Sequence, residues 1–321
     1  MTTILIIAGV LILLYALALL ITAAYFFRIA LVRFDRKKAE AKKGAPLIQI
    51  PSGGADPCPD YWENSKAWYG AQSWQPLSIK SDDGLTLKGA LLVNGSTDKT
   101  AVVVHGWTGR KEETGTLARL YYELGFSVLA PDLRAHGESE GRYFTFGYKD
   151  KKDIVLWAQK AVELGAKQII LAGHSMGGAT VMMAAGEKLP EQVKCIVEDC
   201  GYTSAYDQFY HTLGILLPRP LRFMRRGILF FADVINRAVQ GFSLRGADSV
   251  AALAKASVPV LFIHGDMDEF VPYQMQEKVF DACASDKERL TVHGAGHCKS
   301  IAMEPALYRQ AVRAFAFKYI D

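Results

Sequence analysis

None of the five cysteines, Cys58, Cys195, Cys200, Cys283 and Cys298, stands in a C-x-x-C pair, and their number is odd. Those two facts argue against a zinc ribbon and against a disulfide framework, and they favour free thiols in a reducing compartment. The chain also lacks an internal repeat, and it lacks a basic surplus outside one short stretch. Residues 28–43 hold seven basic and two acidic side chains, a net of +5 against +4 for all 321 residues, which leaves the remainder at −1. A nucleic-acid binder needs a basic face on its folded domain, so no nucleic-acid partner is expected. With half of its residues apolar and 22% charged, the chain is neither a disordered tail nor a small stapled scaffold.

Charge is missing altogether from Ile4 to Phe27. As a helix, those 24 residues extend about 36 Å, enough to cross a hydrocarbon core of about 30 Å. Tyr25, Phe26 and Phe27 fall where an interfacial aromatic belt belongs. A cleaved signal peptide fits less well, because no Lys or Arg precedes the run and the run is long for an h-region. The expectation is a single-pass anchor over residues 1–28. Arg28, Arg33, Arg36, Lys37, Lys38, Lys42 and Lys43 all follow it, and the positive-inside rule then puts the large domain in the cytoplasm.

Residues 29–60 read as a basic stalk and then a linker with Pro46, Pro51, Pro57 and Pro59. Trp62, Trp68 and Trp74 follow at intervals of six, neither a helical nor a strand period, and are expected to brace the domain. From residue 61 to 321 short apolar runs alternate with helical patterns. The predicted strands are 75–80, 85–93, 101–105, 126–130, 168–172, 193–198, 258–264 and 289–293; Asp83-Gly84 turns the first two into a hairpin. The predicted helices are 114–124, 148–164, 176–187, 273–284 and 302–319. This alternation implies an α/β fold whose mostly parallel sheet carries helices on both faces. Residues 202–257 break the pattern and read as an inserted helical cap.

Gly173-His174-Ser175-Met176-Gly177 is a G-x-S-x-G, and it sits between a predicted strand and a predicted helix. That setting is what a nucleophile elbow requires, because the turn is too sharp for neighbouring side chains. Ser175 then needs a base. His297, in the loop after the last strand, is the first candidate, with His293 the other; His174 lies inside the elbow. The base needs a carboxylate to hold its tautomer. Asp268, after the strand 258–264, is the first candidate and Asp199 the alternative, with Asp266 shaping the turn. The order Ser175, Asp268, His297 is that of α/β-hydrolases. Oxyanion donors are expected from the backbone N–H groups of Met176 and Trp107, the latter in His105-Gly106-Trp107-Thr108-Gly109.

These motifs, with Asp132-Leu133-Arg134-Ala135-His136-Gly137-Glu138-Ser139 and the Val271-Pro272 that follows Asp268, span residues 100–300. Together they resemble a serine hydrolase of the α/β-hydrolase superfamily. The likeness extends to the membrane-anchored bacterial branch related to serine aminopeptidases and prolyl-oligopeptidase-type catalytic domains. The resemblance implies an eight-stranded sheet with a short cap, acyl transfer through an acyl-enzyme, and no metal or cofactor. Ala135 departs from the glycine often found there; the Asp132–Ser139 loop is structural in this reading. Expected substrates are small-molecule or lipid carboxylic esters, thioesters among them, with no obligate protein partner. A serine peptidase of the aminopeptidase type is the alternative, with Glu198, Asp199 or Glu269 to hold an amino group, and a catalytically silent scaffold is the third reading. No acid occurs from Gln208 to Ala232, where Arg219, Arg222 and Arg226 lie among apolar residues, a pattern that suits an exposed cap helix or contact with anionic lipid.

Overall fold

A computed structural model describes residues 1–34, 51–55, 58 and 60–321, leaving aside the side chain of Trp62. The expected stalk residues Arg36, Lys37, Lys38, Lys42 and Lys43, and Pro46, Pro57 and Pro59 of the linker, lie outside the described residues.

Eight strands form one sheet: β1 (Gln75–Lys80), β2 (Thr86–Leu92), β3 (Lys99–Val104), β4 (Ser127–Pro131), β5 (Gln168–His174), β6 (Val193–Asp199), β7 (Val260–Gly265) and β8 (Lys287–Val292). Their order is β1-β2-β4-β3-β5-β6-β7-β8. Only the β1–β2 and β2–β4 pairs are antiparallel; the others are parallel. β3, β5, β6 and β7 are buried almost throughout, whereas at the edges β1 is largely and β8 partly exposed. That contrast explains the continuous apolar runs of the inner strands, since each of their faces meets a helix layer. Along β3, Val102 and Val104 enter the core on one side while Ala101 and Val103 enter the core on the other, as the two-residue strand period requires.

Around the sheet lie α1 (Thr2–Leu31), α2 (Tyr61–Gly70), α3 (Gly115–Glu123), α4 (Asp150–Glu163), α5 (Met176–Ala184), α6 (Ala205–Leu216), α7 (Arg225–Gln240), α8 (Ser249–Leu253), α9 (Tyr273–Ala282), α10 (Ser300–Met303) and α11 (Pro305–Tyr319). The helix expected at 302–319 is divided, with Pro305 at the start of α11. Proline lacks the N–H that an unbroken helix would use and suits a first turn. Trp68 packs on Tyr122 and Trp74 stacks on Tyr69, so both brace the face away from the cap.

The cap spans β6 to β7 as α6, a 3-10 turn at Arg219–Met224, α7 and α8. Ser204 caps α6 by accepting from the Asp207 N–H, and Gly241 ends α7 in the left-handed region at φ 80°.

α1 is long and apolar enough to cross a membrane. It does not stop at residue 28 before a free stalk. Leu19, Ala23, Phe26, Phe27, Ile29, Ala30 and Leu31 are buried, packed against the body of the domain. Gly227 of α7 allows this approach, since a Cβ there would come within 2.7 Å of Leu19 Cδ1. The chain beyond is pinned too. The Phe144 N–H donates to the Leu31 carbonyl, and the Arg33 guanidinium donates to the carbonyls of Ser139 and Gly137 at 2.6 and 2.7 Å.

Candidate active site

The parallel strands aim their carboxyl ends at one edge, and the candidate residues arrive there in turn. β5 ends at His174 and α5 begins at Met176, so Ser175 makes the whole turn, at φ 56° and ψ −122°. A non-glycine residue rarely adopts a positive φ, and such strain concentrates at functional sites. The flanking glycines make room for it. A Cβ on Gly177 would sit 2.3 Å from the Val104 carbonyl oxygen, and one on Gly173 would sit 2.5 Å from the Gly177 carbonyl carbon.

His297 Nε2 lies 2.8 Å from Ser175 Oγ, and its Nδ1 lies 2.7 Å from Asp268 Oδ2. The other carboxylate oxygen of Asp268 accepts from the N–H groups of Phe270 and Val271 at 2.9 and 2.8 Å. His264 flanks the same carboxylate at 3.3 Å. Burial disfavours charge on Asp268, yet His297 and His264 hold its carboxyl down at about 2. Burial likewise opposes charge on His297, but the carboxylate of Asp268 lifts its pKa well above the ordinary histidine range. The pair is therefore built to stabilise an imidazolium. Phe270 lies over the ring of His297 with centroids 4.6 Å apart, shielding it from water.

The alternatives are placed elsewhere. His293 is exposed and pairs with Asp266 at 2.7 Å, while the other Asp266 oxygen accepts from the Gly294 N–H. Asp199 bonds Ser300, and its backbone carbonyl accepts from the Ser175 N–H. Burial and the neighbouring His105 push His174 down to about 3, which keeps it neutral.

Met176 is the first residue of α5, so its N–H has no partner within the helix. The loop bearing Trp107 abuts the serine: a Cβ on Gly106 would be 3.3 Å from Ser175 Cβ. His105 fixes that loop. Its Nε2 accepts from the Leu133 N–H at 3.0 Å, which leaves Nδ1 to donate to the Gly106 carbonyl at 2.7 Å. Asp132 accepts from both the backbone N–H and the ammonium of Lys111, a framework role. Ala135 adopts φ 63°, a conformation that glycine enters without strain.

Three features of the site have no sequence motif. Phe26 and Ala30 of α1 line the cleft that opens on Ser175. Residues 51–55, read as linker, lie against the His297 loop: Ala55 bridges Ala295, and the His297 N–H donates to the Ser52 carbonyl at 2.7 Å. Cys200 and Cys298 place their sulfurs 3.6 Å apart beside His297. With a ring nitrogen of His297 they form a group of donors within 4.8 Å of one another, the one such group among the described residues. Both ring nitrogens are already engaged by Ser175 and Asp268, so a metal there would displace one of those bonds.

A mostly parallel eight-stranded sheet with a serine at the strained turn after β5 defines an α/β-hydrolase fold. The chain belongs to the alpha/beta hydrolase family, whose model matches residues 101–311. Similar proteins include the uncharacterized protein YqkD of Bacillus subtilis, 27% identical over 241 residues, 74% of this chain and 77% of that protein. A candidate esterase/lipase of Haemophilus influenzae is 26% identical over 249 residues, 68% of this chain and 83% of that one. Among solved structures, the Pyrococcus furiosus esterase Pf2001 superposes with a TM-score of 0.62 at 22% identity, covering 85% of this chain and 100% of the other.

Proposed function

We propose that this protein is a membrane-anchored serine hydrolase that cleaves carboxylic esters through an acyl-enzyme on Ser175. The observation that carries the reading is the hydrogen-bonded chain Ser175–His297–Asp268 at the mouth of an apolar cleft. In this mechanism His297 Nε2 takes the Ser175 proton as Oγ attacks the ester carbonyl. The N–H groups of Met176 and Trp107 hold the oxyanion. The alcohol leaves with the proton from His297, and water, deprotonated by the same ring, then releases the acid and restores Ser175.

The esterase and esterase/lipase names of the similar proteins agree with this chemistry. The cleft favours esters over peptides with a free amino terminus, for among the described residues no carboxylate stands on its wall. Glu198 and Asp199 are buried, and burial raises both carboxyls above their usual range. Glu269 is exposed and does not line the cleft. The buried last third of α1 supports its retention, because cleavage would strip a wall from the cleft. The basic residues after α1 favour a cytoplasmic catalytic domain.

The test is hydrolysis of p-nitrophenyl esters by the full-length protein and its Ser175→Ala variant, with fluorophosphonate labelling of both. Loss of labelling and a fall in turnover of at least ~10³-fold are expected. Equal turnover by the two proteins would overturn the assignment. Absence of labelling and turnover in the wild type would favour a silent scaffold.

A further inference from the structure

Phe26 and Ala30 belong to the apolar helix α1, yet they line the same narrow cleft as Ser175, a space of about 20 Å³. Trp107 and Phe146 form another wall, and Phe209 and Thr212 of α6 a third. Phe26 meets Phe209 edge-on with centroids 5.3 Å apart, and Phe209 meets Phe146 similarly at 4.6 Å. Phe26 is 3% exposed and Ala30 1%, while Ile21 and Tyr25 on the same helix are 61% and 62% exposed. Leu19, Ala23, Phe26 and Ala30 follow helical spacing, and Phe27, Ile29 and Leu31 are buried beside them, so one stripe of α1 faces the protein up to Tyr25 and most of the last turn and a half is enclosed.

A second observation concerns length. Leu19 is the first buried residue of α1. The part before it, Thr2 to Ala18, extends only about 25 Å, short of a hydrocarbon core of about 30 Å. The cap supplies apolar surface beside that boundary. Tyr15 stacks on Phe223 with centroids 6.4 Å apart. Phe223 and Phe230 are 69% and 61% exposed, an unusual cost for a water-facing helix. Exposed Arg219, Arg222 and Arg226 lie in the same segment, as basic side chains at a lipid headgroup layer do.

We propose that α1 is part of the substrate site and that the substrate is a long-chain acyl ester drawn from the bilayer. The acyl chain lies along Phe26 and Ala30 with its carbonyl at Ser175, and the Phe223–Phe230 face of the cap rests in the membrane interface. The inference rests on the serine-hydrolase reading of Ser175, which supplies the chemistry at the end of the cleft.

The experiment compares full-length wild type with Ala30→Phe and Phe26→Ala in nanodiscs of phosphatidylcholine and phosphatidylglycerol. Each is assayed on p-nitrophenyl butyrate, laurate and palmitate, and active protein is counted by fluorophosphonate labelling, so that misfolded molecules drop out. Ala30→Phe narrows the cleft and is expected to lower the laurate-to-butyrate ratio of kcat/KM by about tenfold or more, since one methylene in an apolar pocket already changes rate by roughly 10–200-fold. Phe26→Ala widens it and is expected to move the preference toward palmitate. Unchanged ratios in both variants, or a wild type that labels at Ser175 and prefers butyrate, overturn the inference while the hydrolase reading stands. A wild type that neither labels nor turns over overturns both.

Discussion

The sheet and its loops, from β3 to α10, and the N-terminal segments 1–34 and 51–55 both reach the same site, but they do so differently. In the first region each candidate catalytic group follows a parallel strand: Trp107 after β3, Ser175 after β5, Asp268 after β7, His297 after β8. In the second, Phe26 and Ala30 supply a wall, and Ser52 supplies a carbonyl to the His297 N–H. Groups that move a proton must be held to a few tenths of an ångström, and sharp turns with obligatory glycines do that. A wall needs only shape and apolar surface, which many side chains provide.

If that division holds, Asp268→Asn should have the largest effect on rate and none on substrate choice. Asp268 accepts from His297 Nδ1 at 2.7 Å, and an amide there favours the wrong tautomer, a loss of about 10³–10⁴ in kcat. The sign of the pH effect follows from the charge. His297 acts as a base only when deprotonated, so activity is lost as pH falls through its pKa. Asp268 raises that pKa, and its neutral replacement therefore moves the acid limb to lower pH. The chain-length profile should stay as it is in the wild type. A shifted profile with an unmoved acid limb would erase the separation between the two regions. Steady-state rates from pH 5 to 9 on two esters are sufficient.

The legible part of the molecule was the part with contrast in its sequence. Inner strands were visible as apolar runs between turns, and the placements of Ser175, Asp268 and His297 followed from the loops that end those strands. The stripe Leu19, Ala23, Phe26, Ala30 has the right helical spacing, but every neighbour up to Arg28 is also uncharged. Amphipathic contrast, the usual mark of a docked face, is absent. Gly53-Gly54 falls in the Pro/Gly-rich stretch that reads as a linker. Both have positive φ, and they lie against Met267, Glu269 and Gly294 to Gly296. Only Ile29-Ala30-Leu31-Val32, apolar again after Arg28, hinted that the helix continues into the domain.

The same substitution in each region sharpens the comparison further. In Gly177→Ala the new Cβ would lie 2.3 Å from the Val104 carbonyl and 2.7 Å from that of His105. Backbone on both sides cannot yield cheaply, and the expected loss is about 1–3 kcal/mol, a fall in Tm of roughly 5 °C. Gly9→Ala in α1 has nothing within 4 Å of the new Cβ, so no fall in Tm is expected. Thermal melts of both variants in one detergent compare them directly. A fall at Gly9 equal to that at Gly177 would mean that the outer part of α1 is packed rather than lipid-facing.

The smallest effect belongs to Gly54→Ala. Gly54 has φ 61°, and a Cβ there would lie 2.4 Å from the Gly296 nitrogen and 2.5 Å from the Gly294 carbonyl oxygen. Only residues 51–55 need retreat, and they carry little of the core, so Tm should change by no more than about 2 °C. The retreat withdraws the Ser52 carbonyl from the His297 N–H, a bond of 2.7 Å. His297 then has fewer restraints on its distance to Ser175, and small misplacements of a catalytic group lower rate steeply. We expect kcat to fall about three- to tenfold, on every ester alike, with the pH limb in place because Asp268 still faces Nδ1. The uniform loss separates a segment that positions the base from one that shapes the cleft, whose variants change the ranking of esters. An unaltered kcat would reduce residues 51–55 to a covering segment and leave α1 as the one contribution to the site among the described N-terminal residues.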